Sequence, residues 1–158
     1  MEKSVGFTIG KFAPLHKGHE FLISTGIKEM DEFYVVIYDT DITKVDINRR
    51  TEWIKRLFPT VKIIQAFNSP KQYGLDDESV KIQMEYLSNL VKSINPTSFY
   101  SCEPYGEKVA EYLKINNRIV DLNKEHIPIS ATFIRKNLEK NKEYLERFVY
   151  EDIKIMEK

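Results

Sequence analysis

Two histidines, a glycine and a lysine lie close together near the N-terminus and have the chemistry to bind a phosphate. Residues 10–19 read GKFAPLHKGH and contain two of the three histidines in the chain. His16 and His19 can donate hydrogen bonds to phosphate oxygens, Lys11 adds a positive charge, and Gly18 has no Cβ to keep an anion from the backbone. If a helix begins here, its free N–H groups and dipole also favour an anion. The segment therefore predicts a phosphate site.

The same histidines could instead be incidental surface residues or half of a metal site. A zinc site would need further histidine, cysteine or carboxylate ligands. The third histidine, His126, is distant in the sequence, and Cys102 is the single cysteine. The glycine and the lysine beside the pair favour the anion site over both alternatives.

A second polar segment, residues 129–135 (ISATFIR), also predicts a helix start that faces a phosphate. Ser130 is a good N-cap residue, and Thr132 offers a hydroxyl in the first turn. Arg135 lies about one turn further and carries a planar guanidinium that suits phosphate oxygens. Taken alone, the segment is more typical of an ordinary capped helix than of a phosphate site.

Elements that could position both segments follow from the hydrophobic pattern. Short apolar runs alternate with segments of helical period, which is typical of βαβ units and a parallel sheet. We predict an α/β, three-layer doubly wound domain, in which ligands bind at the carboxyl ends of the strands. The predicted strands are 5–9, 33–38, 61–67, 98–101 and 118–122, and the predicted helices are 17–30, 49–58, 78–94, 108–113, 132–138 and 142–149.

Composition limits the class of protein. The 158 residues are 42% hydrophobic and 30% charged, which fits one globular domain over 1–158. Twenty-four basic residues balance 24 acidic ones, so the charge balance argues against a nucleic-acid partner. A single cysteine excludes an internal disulfide, and no apolar run is long enough to suggest a membrane partner. We expect a soluble cytoplasmic protein. The sequence does not decide between a monomer and a homo-oligomer.

The two polar segments together resemble the signatures of the nucleotidylyltransferase superfamily. Residues 10–19 match its GxFxPxHxGH pattern and residues 129–135 its ISxTxxR pattern. Class I aminoacyl-tRNA synthetases share HxGH but are much longer and carry further motifs. The resemblance implies a Rossmann-like α/β/α fold with a five-stranded parallel sheet, and an enzyme that joins a nucleoside triphosphate to a phosphate-bearing acceptor.

The middle of the chain resembles a narrower family. Residues 101–106 (SCEPYG), together with Val120 and Asp121, resemble the NadR-type nicotinamide mononucleotide adenylyltransferase domain. This implies transfer of AMP from ATP to nicotinamide mononucleotide, giving NAD and pyrophosphate, with Mg²⁺ accompanying ATP. NadR proteins also carry a kinase domain, but the sequence has no Walker-type Gly-Lys-Thr/Ser, and we expect no kinase or repressor function.

The resemblance also implies roles for individual residues. Asp39 and Asp41 could contact a metal or a ribose, but we interpret them as turn residues and assign no protein ligand to the metal. Relatives place a stacking Trp in the region of residues 76–86, which has none here, and Trp53 is interpreted as core. The implied roles are catalysis for His16, His19, Lys11 and Arg135; ATP binding for Gly10, Phe12, Gly18, Ser130, Thr132 and Lys124; and acceptor binding for Arg50, Tyr73, Tyr86 and Glu103.

Several of these roles have alternatives. Arg50 could equally belong to a solvated helix start, and Tyr73 and Tyr86 could be ordinary loop and helix aromatics. The acceptor could be another phosphate compound, the nucleotide could be CTP, or the protein could be a non-catalytic nucleotide sensor. Pro14 and the Ser-Ala-Thr form of the second signature favour the adenylyl branch, and the intact histidines and Arg135 favour an enzyme.

Overall fold

A five-stranded parallel sheet forms the centre of the protein. The computed structural model describes residues 2–70, 76–121 and 124–157. All strand pairs are parallel, and the strand order is β3-β2-β1-β4-β5. The strands are β1 (Val5–Gly10), β2 (Glu32–Tyr38), β3 (Lys62–Ala66), β4 (Ser98–Ser101) and β5 (Asn116–Ile119).

Helices connect consecutive strands and complete the C-terminal part. The described residues include the helices α1 (Lys17–Glu29), α2 (Ile47–Leu57), α3 (Asp77–Val91), α4 (Tyr105–Leu113), α5 (Ala131–Lys136), α6 (Leu138–Asn141) and α7 (Arg147–Met156). None of these described helices is both long and apolar enough to cross a membrane.

Two apolar cores lie on opposite faces of the sheet, which makes the domain three-layered. Alternate residues of β2 point to opposite faces, because side chains along a strand alternate. Val35 and Ile37 belong to the core that also includes Trp53 of α2 and residues of α1, α5 and α7. Val36 belongs to the other core, which includes residues of α3 and α4. The predicted Rossmann-like doubly wound fold is therefore confirmed, and Trp53 is a core residue, as predicted.

The strand order reverses at β1, and this fixes where a ligand can bind. β1 pairs with β2 on one side and with β4 on the other. The crossover helices leave these two strands towards opposite faces of the sheet, so a crevice opens beyond their carboxyl ends. The loops after Gly10 and Ser101 border this crevice.

The C-terminal helices differ from the sequence prediction. The predicted helix 132–138 ends at Lys136, because the Asn137 side chain caps α6 by accepting a hydrogen bond from the Lys140 N–H at 3.0 Å. The predicted helix 142–149 is instead a 3₁₀ turn, Lys142–Tyr144, followed by α7. Between them, Leu145 has an extended backbone and its side chain is buried in the first core. Burying this side chain is therefore more favourable here than continuing the helix through it.

Candidate active site

A cavity of about 380 Å³ lies beyond the carboxyl ends of β1 and β4. Its walls come from the end of β1, the start of α1, residues between Ser101 and Gly106, and residues 121, 124, 127 and 129–132. Residues from both polar segments of the sequence therefore meet in one place. The predicted site residues that line it are Gly10, Phe12, His16, Gly18, His19, Glu103, Lys124, Ser130 and Thr132.

The two histidines are locked together at the start of α1. His16 is the N-cap residue, and its Nδ1 accepts hydrogen bonds from the N–H groups of Gly18 at 3.0 Å and His19 at 3.3 Å. In return, the His16 N–H donates to Nδ1 of His19 at 3.2 Å. The rings stack with centroids 3.6 Å apart. This is a capping box made entirely of histidine.

The capping box fixes the tautomer of both rings. A neutral imidazole has one N–H donor and one acceptor nitrogen, and Nδ1 is the acceptor in both His16 and His19. The proton must therefore sit on Nε2 in each ring. Burial, with help from Lys124, lowers the pKa of His16 to about 4. Burial, His16 and Lys124 lower the pKa of His19 well below its usual value. At neutral pH the site therefore carries two uncharged Nε2–H donors.

The role expected of the helix N–H groups is corrected by this arrangement. The sequence predicted that free N–H groups at the start of α1 would bind the anion, but those of Gly18 and His19 are occupied by the His16 ring. A Cβ on Gly18 would lie 2.8 Å from Cε1 of His16. Gly18 is therefore required for the capping ring to fit, and the donors left for an anion are the Nε2–H groups.

Phe12 connects the loop after β1 to the histidine pair. Its φ of 52° is in the left-handed region, which is uncommon for a residue other than glycine. Its buried ring meets His19 edge-on, with centroids 4.7 Å apart. A Cβ on Gly10 would lie 3.2 Å from this ring, so the glycine gives the ring its space. Phe12 therefore packs against the His19 ring.

Lys124 supplies the positive charge inside the cavity. It lies on the loop after β5, with a φ of 53°, and its N–H donates to the Asp121 carbonyl at 2.8 Å. The Asp121 carboxylate holds the loop by accepting from the N–H groups of His126 and Ile127, both at 2.9 Å. These hydrogen bonds lower the pKa of Asp121. Asp121 therefore holds the loop that presents Lys124.

The start of α5 forms another part of the cavity wall. Ser130 is its N-cap, as predicted, and its Oγ accepts from the Phe133 N–H at 3.3 Å. Arg135 does not line the 380 Å³ cavity. Its guanidinium donates to the Ala13 carbonyl at 2.7 Å and to the Thr132 hydroxyl at 3.4 Å, and it borders a neighbouring cavity of about 270 Å³. Arg135 thus joins the two signature segments at the cavity edge.

Besides Arg135, three predicted residues in the described part of the chain are not among those that line the cavity: Lys11, Arg50 and Tyr86. The Arg50 guanidinium is fully buried against backbone carbonyls, one of which belongs to Lys11. Lys11 itself does not line the cavity. The Tyr86 hydroxyl donates to the Phe67 carbonyl at 2.5 Å. Tyr73 lies outside the described residues.

Tyr105 is a cavity residue that the sequence reasoning missed. It is the first residue of α4, and its hydroxyl donates to Oε1 of Gln83 at 2.9 Å, which fixes its ring at the cavity wall. It lies within the SCEPYG stretch, so its place in that stretch was the available signal. Cys102 is partly buried and also lines the cavity, and burial raises the pKa of its thiol.

The protein side chains offer no dedicated metal cage in the part of the chain that the structure describes. No group of three or more His, Cys, Asp or Glu side chains there could hold an ion. The Asp39 carboxylate accepts from the Thr40 N–H at 3.0 Å, as a turn residue does. A divalent cation at this site would therefore be held mainly by phosphate oxygens and water, which suits Mg²⁺.

The depressed pKa of His16 predicts a specific loss of stability in acid. Below pH 6.5 the unfolded chain binds a proton at this histidine, whereas the folded chain resists it down to about pH 4. Stability therefore falls as the pH falls through this window, by at most about 1.4 kcal/mol per pH unit. His16→Asn keeps a capping oxygen without a titrating group. We expect the free energy of unfolding of His16→Asn, measured by urea denaturation, to increase relative to that of the wild type as the pH falls from 6.5 to 4.

Comparison with the variant is needed because Glu20 acts in the opposite direction. Burial and a hydrogen bond with Glu146 raise the pKa of Glu20 to about 7, so its contribution to stability grows as the pH falls from 7. Glu20 is present in both proteins, and its effect cancels in the difference. A constant difference across the pH range would contradict the neutral, capping His16.

Relatives are found among curated proteins. The trifunctional NAD biosynthesis/regulator proteins NadR of Salmonella typhimurium and Escherichia coli are each 28% identical to this chain over 163 aligned positions. The match covers 91% of this chain but 39% of each relative, so the chain spans about two fifths of their length. No family model matches the chain.

Solved structures agree on the fold. A crystal structure of NadR protein in complex with NAD and AMP-PNP superposes with a TM-score of 0.65 at 22% identity, over 94% of this chain and 46% of that chain. A bifunctional NMN adenylyltransferase/ADP ribose pyrophosphatase from Francisella tularensis, complexed with AMP and Mn ion, gives 0.64 at 16% identity, over 96% and 52%. These structures therefore share the fold of this chain, and the curated NadR proteins are similar to it in sequence.

Proposed function

We propose that this protein transfers AMP from ATP to nicotinamide mononucleotide, forming NAD and releasing pyrophosphate. The observation that carries the proposal is the histidine capping box, which holds two neutral Nε2–H donors at the wall of the cavity beyond β1 and β4. Lys124 and the start of α5 border the same cavity. Such an arrangement suits a polyphosphate better than an uncharged substrate.

The chemistry needs positioning and charge stabilisation more than it needs a nucleophilic side chain. An oxygen of the acceptor phosphate attacks the α-phosphorus of ATP, and the bond from that phosphorus to the bridging oxygen breaks. Pyrophosphate leaves with the bonding electrons. Negative charge on the α-phosphate oxygens is stabilised by the Nε2–H groups of His16 and His19, which are fixed before the reaction begins.

Positive charge and a helix start would hold the rest of ATP. Lys124 lies near enough to the histidines to lower the pKa of both, so it can attract the phosphates of the same ligand. Ser130 and Thr132 border the cavity at the start of α5. In the proposal they face the β- and γ-phosphates, with Arg135 beside them and Lys11 on the loop after β1. Mg²⁺ enters as part of the ATP complex.

The acceptor would occupy the part of the cavity formed by residues 101–106. Glu103 and Tyr105 line it there. Tyr105 is held by Gln83 and offers an aromatic face at the wall, so it is a better placed platform for a nicotinamide ring than Tyr86. The NadR structures, whose ligands include NAD and NR, make a nicotinamide compound the first acceptor to test.

Pyrophosphate release tests the reaction. With ATP, Mg²⁺ and nicotinamide mononucleotide, we expect stoichiometric pyrophosphate and NAD, measured by a coupled phosphate assay and by chromatography. CTP should give much less product, and neither nucleotide should react without an acceptor. His19→Asn, prepared in the same way, is the control for contaminating activity.

The alternatives give different results in the same assay. Turnover of CTP with a sugar or alcohol phosphate, but not of ATP with nicotinamide mononucleotide, would assign another member of the superfamily. Tight ATP binding by calorimetry, with no pyrophosphate from any acceptor phosphate, would assign a nucleotide sensor.

A further inference from the structure

Arg50 is the most deeply buried charged side chain near the site, and its contacts are with the backbone. It lies in the first turns of α2 and is fully buried. Its Nε donates to the Val45 carbonyl at 3.0 Å, and one terminal nitrogen donates to the carbonyls of Tyr38 at 3.0 Å and Lys11 at 2.5 Å. One guanidinium therefore ties together the ends of β1 and β2 and the segment before α2.

Burying this cation is costly, which suggests a function beyond packing. The second terminal nitrogen has no hydrogen-bond partner among the described residues, and its nearest carboxylate, Asp39, is 3.9 Å away. Burial lowers the pKa of Arg50, while Asp39 and Asp46 partly offset the effect. An apolar side chain of similar size would often be at least as stable in such a position.

The Lys11 carbonyl leads directly to the histidine pair. The residue after Lys11 is Phe12, whose left-handed backbone is uncommon and whose ring meets the His19 ring edge-on. A hydrogen bond to the Lys11 carbonyl restrains the peptide group between Lys11 and Phe12. A continuous path of contacts therefore runs from Arg50 through this peptide and the Phe12 ring to His19.

We propose that Arg50 is a positioning residue, which fixes the Lys11–Phe12 peptide and thereby the orientation of the His19 ring, and does not bind the acceptor. The proposal rests on the proposed function only for its kinetic consequence. Displacing a catalytic donor by a fraction of an ångström to 1 Å lowers turnover, by up to about 10²-fold, without weakening ground-state binding to the same extent.

The test compares Arg50→Lys and Arg50→Met with Arg49→Met. Arg49 is the neighbouring residue on α2, is half exposed and pairs with the Glu52 and Asp152 carboxylates at 3.7 Å, so it is a matched control. We expect both Arg50 variants to lower kcat about tenfold or more, with the acceptor KM changed less than about twofold. The nitrogen-15 resonances of the His19 ring should shift in the substrate-free protein, and Arg49→Met should leave all three quantities near wild type.

The outcomes separate the roles. A rise confined to the acceptor KM, with unshifted His19 resonances, would make Arg50 an acceptor ligand and overturn the proposal. Unchanged kcat and unchanged resonances in folded variants would also overturn it. If the wild type shows no nucleotidyl transfer, the proposed function fails, but the resonances of the histidine rings still decide the positioning role.

A second variant covers the case in which the Arg50 variants do not fold. Phe12→Leu leaves Arg50 in place and removes the aromatic edge against His19. We expect it to fold, to lower kcat about tenfold, and to shift the nitrogen-15 resonances of His19. Wild-type kcat and resonances in this variant would show that the path through Phe12 does not set the His19 ring, and would overturn the proposal.

Discussion

Replacing His19 with alanine should lower kcat by about 10²-fold or more while the protein stays folded. The reason is that the His19 Nε2–H is one of two preorganised donors at the cavity, whereas its Nδ1 only accepts the His16 N–H. Steady-state pyrophosphate release measures the effect on turnover. Circular dichroism and urea denaturation measure the effect on the fold, which we expect to be about 1 kcal/mol through the lost cap.

His19→Asn separates the two functions of the ring. Asparagine can place an acceptor where Nδ1 was, but it cannot reach the Nε2 position. We expect His19→Asn to recover the stability lost in His19→Ala and to remain as slow. His126→Ala is the matched control, because His126 stacks on Phe21 outside the candidate cavity. Near-normal turnover in His19→Asn would mean that the ring acts only as a cap.

Arg135 should affect turnover and the binding of the triphosphate, and not the binding of the acceptor. Arg135→Lys keeps the charge but loses the planar guanidinium with its parallel N–H donors, so we expect lower turnover than in the wild type. Turnover of Arg135→Ala should be lower still. We expect the loss in kcat and in the KM for ATP, because charge grows on the departing pyrophosphate and a contact there strengthens in the transition state. The acceptor KM should change little when each substrate is varied in turn.

The structure adds a second consequence for Arg135. Its guanidinium also holds the Ala13 carbonyl, so its removal releases the loop after β1 from α5. Weaker binding of pyrophosphate alone, measured by calorimetry, distinguishes a direct phosphate contact from loss of this support. Lys136→Ala, at the next exposed position of α5, is the control. A rise only in the acceptor KM would place Arg135 in the other half of the site.

Much of the architecture followed from the sequence because local patterns specify it. Apolar, β-branched runs predicted the five strands to within about three residues at each end. The alternation of these runs with helices predicted a parallel sheet between two helical layers. β4, Ser98–Ser101, matches the predicted strand 98–101. The prediction that Ser130 caps a helix was also correct, since capping depends on a few neighbouring residues.

Local patterns failed where burial or side-chain capping interrupts a helix. The hydrophobic spacing over residues 142–149 is compatible with a helix, yet Leu145 is extended because the first core accommodates its side chain there. Asn137 was included in a helix, but its side chain caps the next one instead. α4 begins at Tyr105 instead of at residue 108, which brings Tyr105 to the cavity.

The sequence by itself predicted which residues would carry the candidate chemistry: the histidine pair, the helix capped by Ser130 and the cations are visible as residue types and spacings. Only the tertiary structure decided which contacts each of these residues makes. The carbonyls that surround Arg50 come from residues 11, 38 and 45, which no local pattern joins. The donors of the histidine pair are Nε2–H groups because the Nδ1 atoms are used within the capping box, and desolvation lowers the pKa of both rings. Hydrogen bonds and desolvation of this kind depend on the folded surroundings, which spacing along the chain does not encode.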